Sequence, residues 1–409
     1  MNAVTEHRVL LALIVILVAT RGVAWFARRV GQAEVVGEML AGILLGPSLL
    51  GYVAPDVFAY VFAPSTGPVF TGLAQVGLVL LMFQIGLDFE LSAVNTSKRT
   101  VALVSVLGIV VPFGLGCLSS IYFYNQLAEP RPPTTSFVLI FAVSMSITAL
   151  PVLGRIFAET GLAKHRAGLI AISAAAINDV IGWLLLGAVS LLIAGEFSIE
   201  WVGLRAAGIC AVCAVAFYLV RPVVRRYFDA REARLEHGGI AFVLVLVFAC
   251  AWATSALGLH ALIGGFILGV ALHQHAPFVV AWKTRIAPLV NALLLPIFFT
   301  HTGLRTDVGS LGGADGLLQC ALICAIAFLG KYGGAYLGAR LAGERSSMAH
   351  VLAISMNTRG LMELVVLNIG YDLGILSHAL FTQLVYMAVI TTLVATPLIR
   401  RYLRSETAR

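Results

Sequence analysis

The residues best suited to chemistry are Asn178 and Asp179, a polar pair inside the long apolar run at about 165–195. The nearest flanking charges that we place in water are Arg166 and Glu196, so the pair should lie near the middle of a membrane. An ionised carboxylate there costs roughly 2.5–3.5 kcal/mol and needs a counter-charge, a bound cation or a proton. An acid that holds a cation and a proton in turn can exchange one for the other. The alternative is an Asp179 that stays protonated or salt-bridged and only braces the helices.

A polar run with a proline interrupts the apolar segment at about 135–158, and it reads SMSITALP over residues 144–151. Pro151 lacks a backbone N–H and disfavours helix at Leu150, which frees carbonyl groups near Ala149 and Leu150. The alternative is an ordinary proline kink, which membrane helices tolerate.

A second polar run interrupts the apolar segment at about 347–371. It contains Asn357, Thr358, Arg359 and Gly360, with Glu363 one turn later. Unwound carbonyls and hydroxyls are hard oxygen ligands, suited to an alkali cation. Two such interruptions on either side of the acid-bearing segment therefore predict a metal site in which Asp179 binds an alkali cation.

Lys331 lies deep in a further apolar segment, and a deep cation needs a partner. We predict that it is the counter-ion of Asp179, because pairing lets both groups stay charged and a metal ion could displace the ammonium. Alternatively, Lys331 neutralises a helix C-terminus or pairs with Glu363. Arg359 and Glu363 lie four residues apart and could pair with each other, which we interpret as mainly structural.

Two other polar residues, Glu38 and Gln84, also fall inside apolar segments. Either could line an ion path or form a structural pair, and the structural role is favoured for Glu38. His165, His237 and His350 are candidates for pH sensing near neutrality, although a histidine in a solvated loop needs no such role.

The composition indicates a chain made almost entirely of membrane helices. Of the 409 residues, 60% are hydrophobic and 11% charged, with a mean hydropathy of +0.96. Each span needs about 20 apolar residues, so an all-α polytopic membrane protein fits and a soluble domain does not. The net charge of +7 lies in short loops, which indicates membrane topology rather than nucleic-acid binding. We predict thirteen transmembrane helices, at about 8–29, 33–51, 69–88, 100–125, 135–158, 165–195, 200–226, 238–257, 260–274, 284–303, 315–341, 347–371 and 377–400.

The distribution of lysine and arginine predicts the orientation. Alternate connections and the C-terminal tail are rich in basic residues, whereas the opposite side carries few. By the positive-inside rule the N-terminus is outside and the C-terminus cytoplasmic, in the plasma or inner membrane of the cell. The residues on the basic side include Arg28, Arg29, Lys98, Arg99, Lys164, Arg166, Arg231, Arg234, Lys283 and Arg285, and those on the other are Arg8, Arg131 and Arg305.

An internal repeat relates the two halves of the chain. The string AGILLG at 41–46 is echoed by GGFILG at 264–269, and FQIGLD at 83–88 is loosely echoed at 299–307. Both matches imply an offset of seven helices, so the halves insert with opposite topology, which is typical of secondary transporters. We predict a single membrane transport domain with repeats at about 8–195 and 238–402, a linker helix at about 200–226, and no cytoplasmic regulatory domain.

The ordered motifs resemble those of the monovalent cation:proton antiporter-2 family, in particular the plant cation/proton exchangers and the membrane domain of bacterial potassium-efflux antiporters. The resemblance covers essentially the whole chain. Its motifs are GEMLAGILLGP at 37–47, SITALPVLGR at 146–155, AAINDV at 175–180, GKYGGA at 330–335 and NTRGLMELVVLNIG at 357–370.

This resemblance implies the sodium/proton antiporter fold, with a six-helix core, two discontinuous crossing helices and a dimerisation panel. It implies a homodimer and an elevator-like movement that carries the site across the membrane. It assigns cation and proton binding to Asp179, supported by Asn178, Thr148 and Ser173. Lys331 matches the lysine that pairs with this acid in many relatives.

The stoichiometry is left open by two features. Electrogenic sodium-transporting relatives usually have two adjacent acids, whereas this chain has Asn178-Asp179, and one titrating acid favours one-for-one, electroneutral exchange. Electroneutral relatives often replace the lysine by arginine, yet this chain keeps Lys331.

We therefore expect an antiporter that exchanges Na+ or K+ for protons, with no cofactor. The rivals are a cation channel, a proton-coupled carrier of an organic solute, and a non-transporting membrane sensor or scaffold. An enzyme is not expected, because no nucleophile–base pair or metal-ligand motif stands out. The sequence does not separate sodium from potassium, since both take oxygen ligands.

Overall fold

The computed structural model describes residues 3–88, 97–127, 131–162, 165–193, 199–229, 237–257 and 260–407. The predictions made for Lys164, Glu196, Arg231 and Arg234 lie outside the described residues, as does the side chain of Pro151.

The described residues form helices and connecting turns, without a strand. Two π-helical turns, Val215–Val220 and Val290–Leu294, precede the helices that begin at Arg221 and Leu295, and 3₁₀ turns lie at Pro64–Thr66 and Val308–Leu311. The α-helices are α1 (Ala3–Arg29), α2 (Glu34–Leu45), α3 (Leu50–Val53), α4 (Pro55–Val61), α5 (Gly67–Leu87), α6 (Lys98–Asn125), α7 (Thr134–Ser146), α8 (Leu150–Thr160), α9 (Arg166–Ile193), α10 (Ile199–Ala214), α11 (Arg221–Asp229), α12 (His237–Ala256), α13 (Ala261–Leu272), α14 (Ala276–Arg285), α15 (Ala287–Leu289), α16 (Leu295–Leu304), α17 (Ala314–Leu341), α18 (Ser346–Ser355), α19 (Leu361–Asp372) and α20 (His378–Thr407).

The all-α membrane architecture predicted from composition is confirmed. Within the described residues, ten helical stretches are long and apolar enough to cross a bilayer, and four of them join two or more of the elements named above. The helices α7, α13 and α18 are shorter and apolar. Each predicted hydrophobic segment overlaps helix in its described residues, but the count of thirteen spans stays a prediction. The two predicted interruptions are present, because α7 ends before α8 begins at Leu150, and α18 ends before α19 begins at Leu361.

The chain divides into two compact units. The first contains residues 1–13, 62–90 and 190–301, and the second contains residues 14–61, 91–189 and 302–409. Both interrupted helices and the acid-bearing α9 up to residue 189 belong to the second unit. So do all the residues predicted for the site except Gln84.

In the second unit, α17 packs closely on α6 through glycines spaced four residues apart. A Cβ built on Gly334 would lie 2.3 Å from the carbonyl oxygen of Leu107, and one built on Gly338 would lie 2.5 Å from that of Leu103. Small residues at this spacing let two membrane helices bring their backbones together. The contact fixes the helix that carries Lys331 against its neighbour.

The two glycine motifs of the predicted repeat make similar contacts, each within its own unit. A Cβ on Gly303 of α16 would lie 2.0 Å from the carbonyl oxygen of Gly42 in α2. A Cβ on Gly269 of α13 would lie 2.2 Å from the carbonyl oxygen of Phe83 in α5. The predicted offset of seven helices makes α2 equivalent to α13 and α5 equivalent to α16. The contact between α2 and α16 therefore corresponds to the contact between α13 and α5. The boundaries of the repeats stay a prediction.

Replacing Gly334 with alanine should destabilise the protein by about 1–3 kcal/mol, because the methyl group overlaps the backbone of α6. Gly333→Ala is the matched control on the same helix, since an added Cβ there meets nothing within 4 Å. Alanine is the better helix former, so the control should be neutral or slightly stabilising. Thermal unfolding in detergent micelles measures both, and equal midpoints would contradict the packing described.

Candidate functional site

Asp179 lies on α9 with only 3% of its surface exposed. The backbone N–H of Leu150, the first residue of α8, lies near this carboxylate and favours its charged form. The first N–H groups of a helix have no partner within the helix, and this end carries partial positive charge. The beginning of the interrupted helix therefore favours a negative charge on the acid. One carboxylate oxygen, Oδ1, has no hydrogen-bond partner among the described residues.

Asn178 connects α9 to both interruptions through Thr148. The Asn178 Nδ2 donates to Thr148 Oγ1 at 3.3 Å, and this hydroxyl donates to the carbonyl oxygen of Met356 at 3.2 Å. Both side chains are buried. The amide oxygen of Asn178 is left without a partner within the described chain. The predicted grouping of Asn178, Asp179 and Thr148 is thus present in the structure, while their ion-binding role stays a prediction.

The two interruptions lie directly against each other. The backbone N–H of Ala149 donates to the carbonyl oxygen of Thr358 at 2.9 Å. Ile147 is extended, with φ −77° and ψ 144°, and Gly360 has φ 151° and ψ −114°. A side chain at Gly360 would be strained, and its Cβ would lie 2.8 Å from Val152 Cγ2. Glycine is therefore required where the second helix breaks.

The second interruption contributes a further buried amide, that of Asn357. Its Nδ2 donates to the carbonyl oxygen of Ala353 at 3.0 Å, and its Oδ1 has no partner among the described residues. Thr358 Oγ1 donates to the carbonyl oxygen of Ser355 at 2.8 Å. Buried polar atoms are normally hydrogen-bonded. Unpartnered oxygens on Asn178, Asp179 and Asn357 are of the type that a hard cation takes as ligands.

Ser173, one turn and a half before Asp179 on α9, is also buried. Its hydroxyl donates to the carbonyl oxygen of Leu169 at 2.8 Å, within the same helix. The hydroxyl is therefore satisfied locally, and the supporting role that the resemblance implied for Ser173 stays a prediction.

Lys331 is fully buried and bonds to backbone carbonyls. Its ammonium donates to the carbonyl oxygen of Gly108 at 2.7 Å and to that of Ser146, the last residue of α7. No carboxylate lies within 4.0 Å of the ammonium among the described residues, so the direct pair with Asp179 is not formed in this structure. The two groups are close enough to interact electrostatically. Lys331 therefore lies at a helix C-terminus, which was one of the two alternatives considered from the sequence. Its role as the counter-ion of Asp179 stays a prediction.

Arg359 binds the same end of α7. Its guanidinium donates to the carbonyl oxygens of Ser144 and Met145, each at 2.7 Å, and forms an ion pair with Glu363 at 3.1 Å. The predicted Arg359–Glu363 pair is therefore confirmed, with both side chains fully buried. Lys331 and Arg359 place two positive charges at the negative end of the helix dipole of α7.

Glu38 is tied to α8 through Arg155. The two side chains form an ion pair at 3.1 Å, with Glu38 only 1% exposed. This contact supports the structural role favoured from the sequence, and it holds α2 against the half-helix whose N-terminus contacts Asp179. Gln84 belongs to the first unit, and its Oε1 has no partner within the described part of the chain. A role in the ion path stays a prediction for both residues.

The sequence predicted free carbonyls near Ala149 and Leu150, but the Ala149 carbonyl accepts a hydrogen bond from the backbone N–H of Leu153 at 3.0 Å, within the first turn of α8. The backbone groups that do contribute to the site were not identified from the sequence. The Leu150 N–H and the carbonyls of Met356, Thr358 and Ser146 act through their position at helix ends rather than through their side chains. The only signal was the interruption itself. Among the described residues, no group of three or more His, Cys, Asp or Glu residues could hold a metal ion.

Comparison with known proteins shows similarity over almost the whole chain. The family profile described as "Sodium/hydrogen exchanger, transmembrane" matches residues 10–405. The chain is 35% identical over 404 residues to the Na(+)/H(+) antiporter NhaS4 of Synechocystis sp., covering 98% of each protein. It is 35% identical over 399 residues to Cation/H(+) antiporter 18 of Arabidopsis thaliana, covering 95% of this chain and 48% of the plant protein. The chain thus spans about half the length of that plant relative.

The fold is similar to that of the sodium proton antiporter MjNhaP1 from Methanocaldococcus jannaschii. The TM-score is 0.67 at 16% sequence identity, and the alignment covers 96% of each chain. At this identity the likeness concerns the fold alone, and it confirms the fold predicted from the sequence.

Replacing Arg359 with glutamine should lower the free energy of unfolding by about 3–5 kcal/mol, because Glu363 would remain as an unpaired buried charge. The double variant Arg359→Gln/Glu363→Gln should lose less than the sum of the two single variants. Arg225→Gln is the control, since Arg225 pairs with Asp229 at the same spacing but on the surface. It should cost no more than about 1 kcal/mol. Additive single losses in denaturant unfolding would contradict the coupling.

Proposed function

Because the chain belongs to the sodium/hydrogen exchanger family, we propose that it is a secondary-active antiporter that exchanges a monovalent cation, Na+ or K+, for protons across a membrane. The observation that carries the proposal is Asp179, a buried acid at the crossing of two interrupted helices, with unpartnered oxygens on Asn178 and Asn357 in the same core. The relatives support antiport, since NhaS4 is named a Na(+)/H(+) antiporter.

Asp179 is the proposed shared carrier. In one state its carboxylate binds the cation, assisted by the side-chain oxygens of Asn178 and Thr148. In the other state the carboxylate holds a proton and the cation has left. The nearby Leu150 N–H favours the ionised form. Because each occupant neutralises the same buried charge, binding of one displaces the other.

Lys331 and Arg359 have a positioning role in this proposal. By binding the carbonyl groups at the end of α7, they hold the chain open at the interruption without competing for Asp179. The unpartnered side-chain oxygens of Asp179, Asn178 and Asn357 therefore stay available to a cation. Lys331 also supplies the positive potential that favours the ionised acid when the site is empty.

We propose an elevator-type cycle of alternating access for the movement. All the residues of the proposed site lie in the second compact unit, so that unit can move as one body with its bound cation or proton. We also propose a homodimer in the plasma or inner membrane, with the N-terminus outside and the C-terminus in the cytoplasm. The asymmetric distribution of lysine and arginine supports this orientation.

Asp179→Asn should abolish exchange in proteoliposomes and leave a folded protein, because asparagine fills the same space but can hold neither the cation nor the exchanged proton. Dye-reported proton movement after addition of NaCl or KCl measures the loss. Asp315→Asn is the matched control, since Asp315 is an exposed acid in the first turn of α17, and it should exchange normally. Salt-driven proton flux at the original rate in Asp179→Asn would refute the assignment. Currents far above carrier turnover, without proton movement, would indicate a channel.

Acidification should raise the cation concentration needed for half-maximal exchange while leaving the maximal rate at saturating cation unchanged. The sign follows from competition, because protons occupy the carboxylate at low pH and excess cation displaces them. Initial rates over a grid of pH and salt concentration test this. A maximal rate that falls with pH at an unchanged half-saturating concentration would show that the two ions bind at separate sites.

With a single exchanged acid, we expect one proton to move for each cation. The exchange rate in proteoliposomes should then be independent of an imposed membrane voltage. A rate that rises or falls with voltage would show net charge movement, and it would make a second titrating group such as Glu363 necessary.

A further inference from the structure

A cavity of about 1320 Å³ lies at one end of the second unit, away from Asp179. Four helices meet there, namely the beginnings of α6, α9 and α18 and the end of α17. These ends lie on the side that the positive-inside rule predicts to be cytoplasmic. The cavity is open to water, with residues Ser97–Thr100, Arg166 and Ala342–Met348 among those that line it.

The lining is strongly basic. Lys98, Arg99, Arg166 and Arg345 line the cavity with exposed side chains, and Glu344 is its one acidic residue among the described lining residues. The positive-inside rule explains why cations lie on this side of a membrane, but not why they surround one cavity. Their convergence indicates an anionic ligand.

Glu344 is occupied by other partners. Its carboxylate accepts hydrogen bonds from both terminal nitrogens of Arg166, at 2.6 and 2.9 Å, and from the hydroxyl of Thr100 at 2.8 Å. Burial raises the pKa of this carboxyl, but the hydrogen bonds from Arg166 and Thr100 outweigh it, and the net pKa lies below the usual value. Glu344 is therefore ionised at neutral pH and neutralises Arg166. Lys98, Arg99 and Arg345 then give the cavity its net positive charge, and none contacts a carboxylate in the described part of the chain.

Two helix starts add hydrogen-bond donors to these charges. α6 begins at Lys98 and α18 at Ser346, and in neither case does the preceding residue cap the helix with its side chain. The positive ends of both helix dipoles therefore lie at the cavity. The hydroxyls of Ser346 and Ser347 line the same wall.

We propose that this cavity binds a phosphorylated anion. The anion either carries more than one negative charge or is bound by more than one of the basic side chains. Guanidinium groups donate paired hydrogen bonds to phosphate oxygens, and the backbone N–H groups of helix N-termini donate to the remaining oxygens. The phosphate belongs either to a free polyphosphate or to the headgroup of an anionic lipid. A ligand bound there would tie together the start of α9, which carries Asp179, and the start of α18, which leads into the second interruption. Binding is independent of the exchange function, so either proposal can fail alone.

Binding of inorganic tripolyphosphate to the purified protein tests the free form of the ligand. Calorimetric titration should be done in choline buffers, because Na+ and K+ are the proposed substrates. The unaltered protein should bind, and Lys98→Gln/Arg345→Gln should weaken binding about tenfold or more, since two charge-assisted contacts are lost. Arg226→Gln is the control, because Arg226 is an exposed cation of α11 outside the cavity. It should bind as the unaltered protein does.

A lipid arm tests the other source. The same proteins are placed in nanodiscs of phosphatidylcholine with or without phosphatidylglycerol, and their unfolding temperatures are compared. If the ligand is a headgroup, phosphatidylglycerol should raise the unfolding temperature of the unaltered protein and of Arg226→Gln, but not that of the double variant. A selective effect in either arm supports the site and identifies its source. The proposal is overturned if neither anion has an effect, or if Arg226→Gln loses as much as the double variant.

Discussion

The proposed site depends on the electrostatic interaction between a buried carboxylate, that of Asp179, and the beginning of a half-helix. A negative charge in the interior of a membrane protein is stable only if something compensates it. Here the compensation is partial, because the Leu150 N–H lies near the acid while Oδ1 remains unpartnered among the described residues. A carboxylate whose oxygens all had hydrogen-bond or ion-pair partners would not bind a cation, and a carboxylate without any nearby hydrogen-bond donor would stay protonated. Partial compensation makes both occupants possible.

The other end of the same interruption carries the opposite charge. The carbonyl groups that end α7 are bound by Lys331 and Arg359, so the positive and negative ends of the broken helix each have a partner of opposite sign. Glu363 in turn neutralises Arg359. The charged residues of the core therefore differ in their contacts: Arg359 and Glu363 bind each other and the end of α7, whereas Asp179, the proposed carrier, has no ion-pair partner among the described residues. Close glycine contacts between α17 and α6 keep Lys331 at a fixed position in this arrangement.

The two interruptions and the buried ion pair could be predicted from the sequence, because a charge or an unpaired backbone group inside a membrane costs free energy unless it is compensated. Pro151 and Gly360 marked the interruptions, and the Arg359–Glu363 pair followed from its spacing. The hydrogen-bond partners of Lys331 could not be predicted in the same way. A lysine that approaches an acid in the fold leaves no sequence pattern that distinguishes a direct ion pair from a bond to nearby carbonyl groups. Which of these forms depends on a few ångströms of helix position.

The proposed exchange requires that one buried carboxylate, that of Asp179, holds a proton or a cation, but never both. Calorimetric titration of the purified protein with NaCl or KCl, in buffers of different ionisation enthalpy, measures the protons released as the cation binds. Near the pH at which the acid is half protonated, competition should release about half a proton per cation, and this release should fall toward zero at alkaline pH and be lost in Asp179→Asn. Cation binding that releases no proton at any pH, or that persists unchanged in Asp179→Asn, would contradict it.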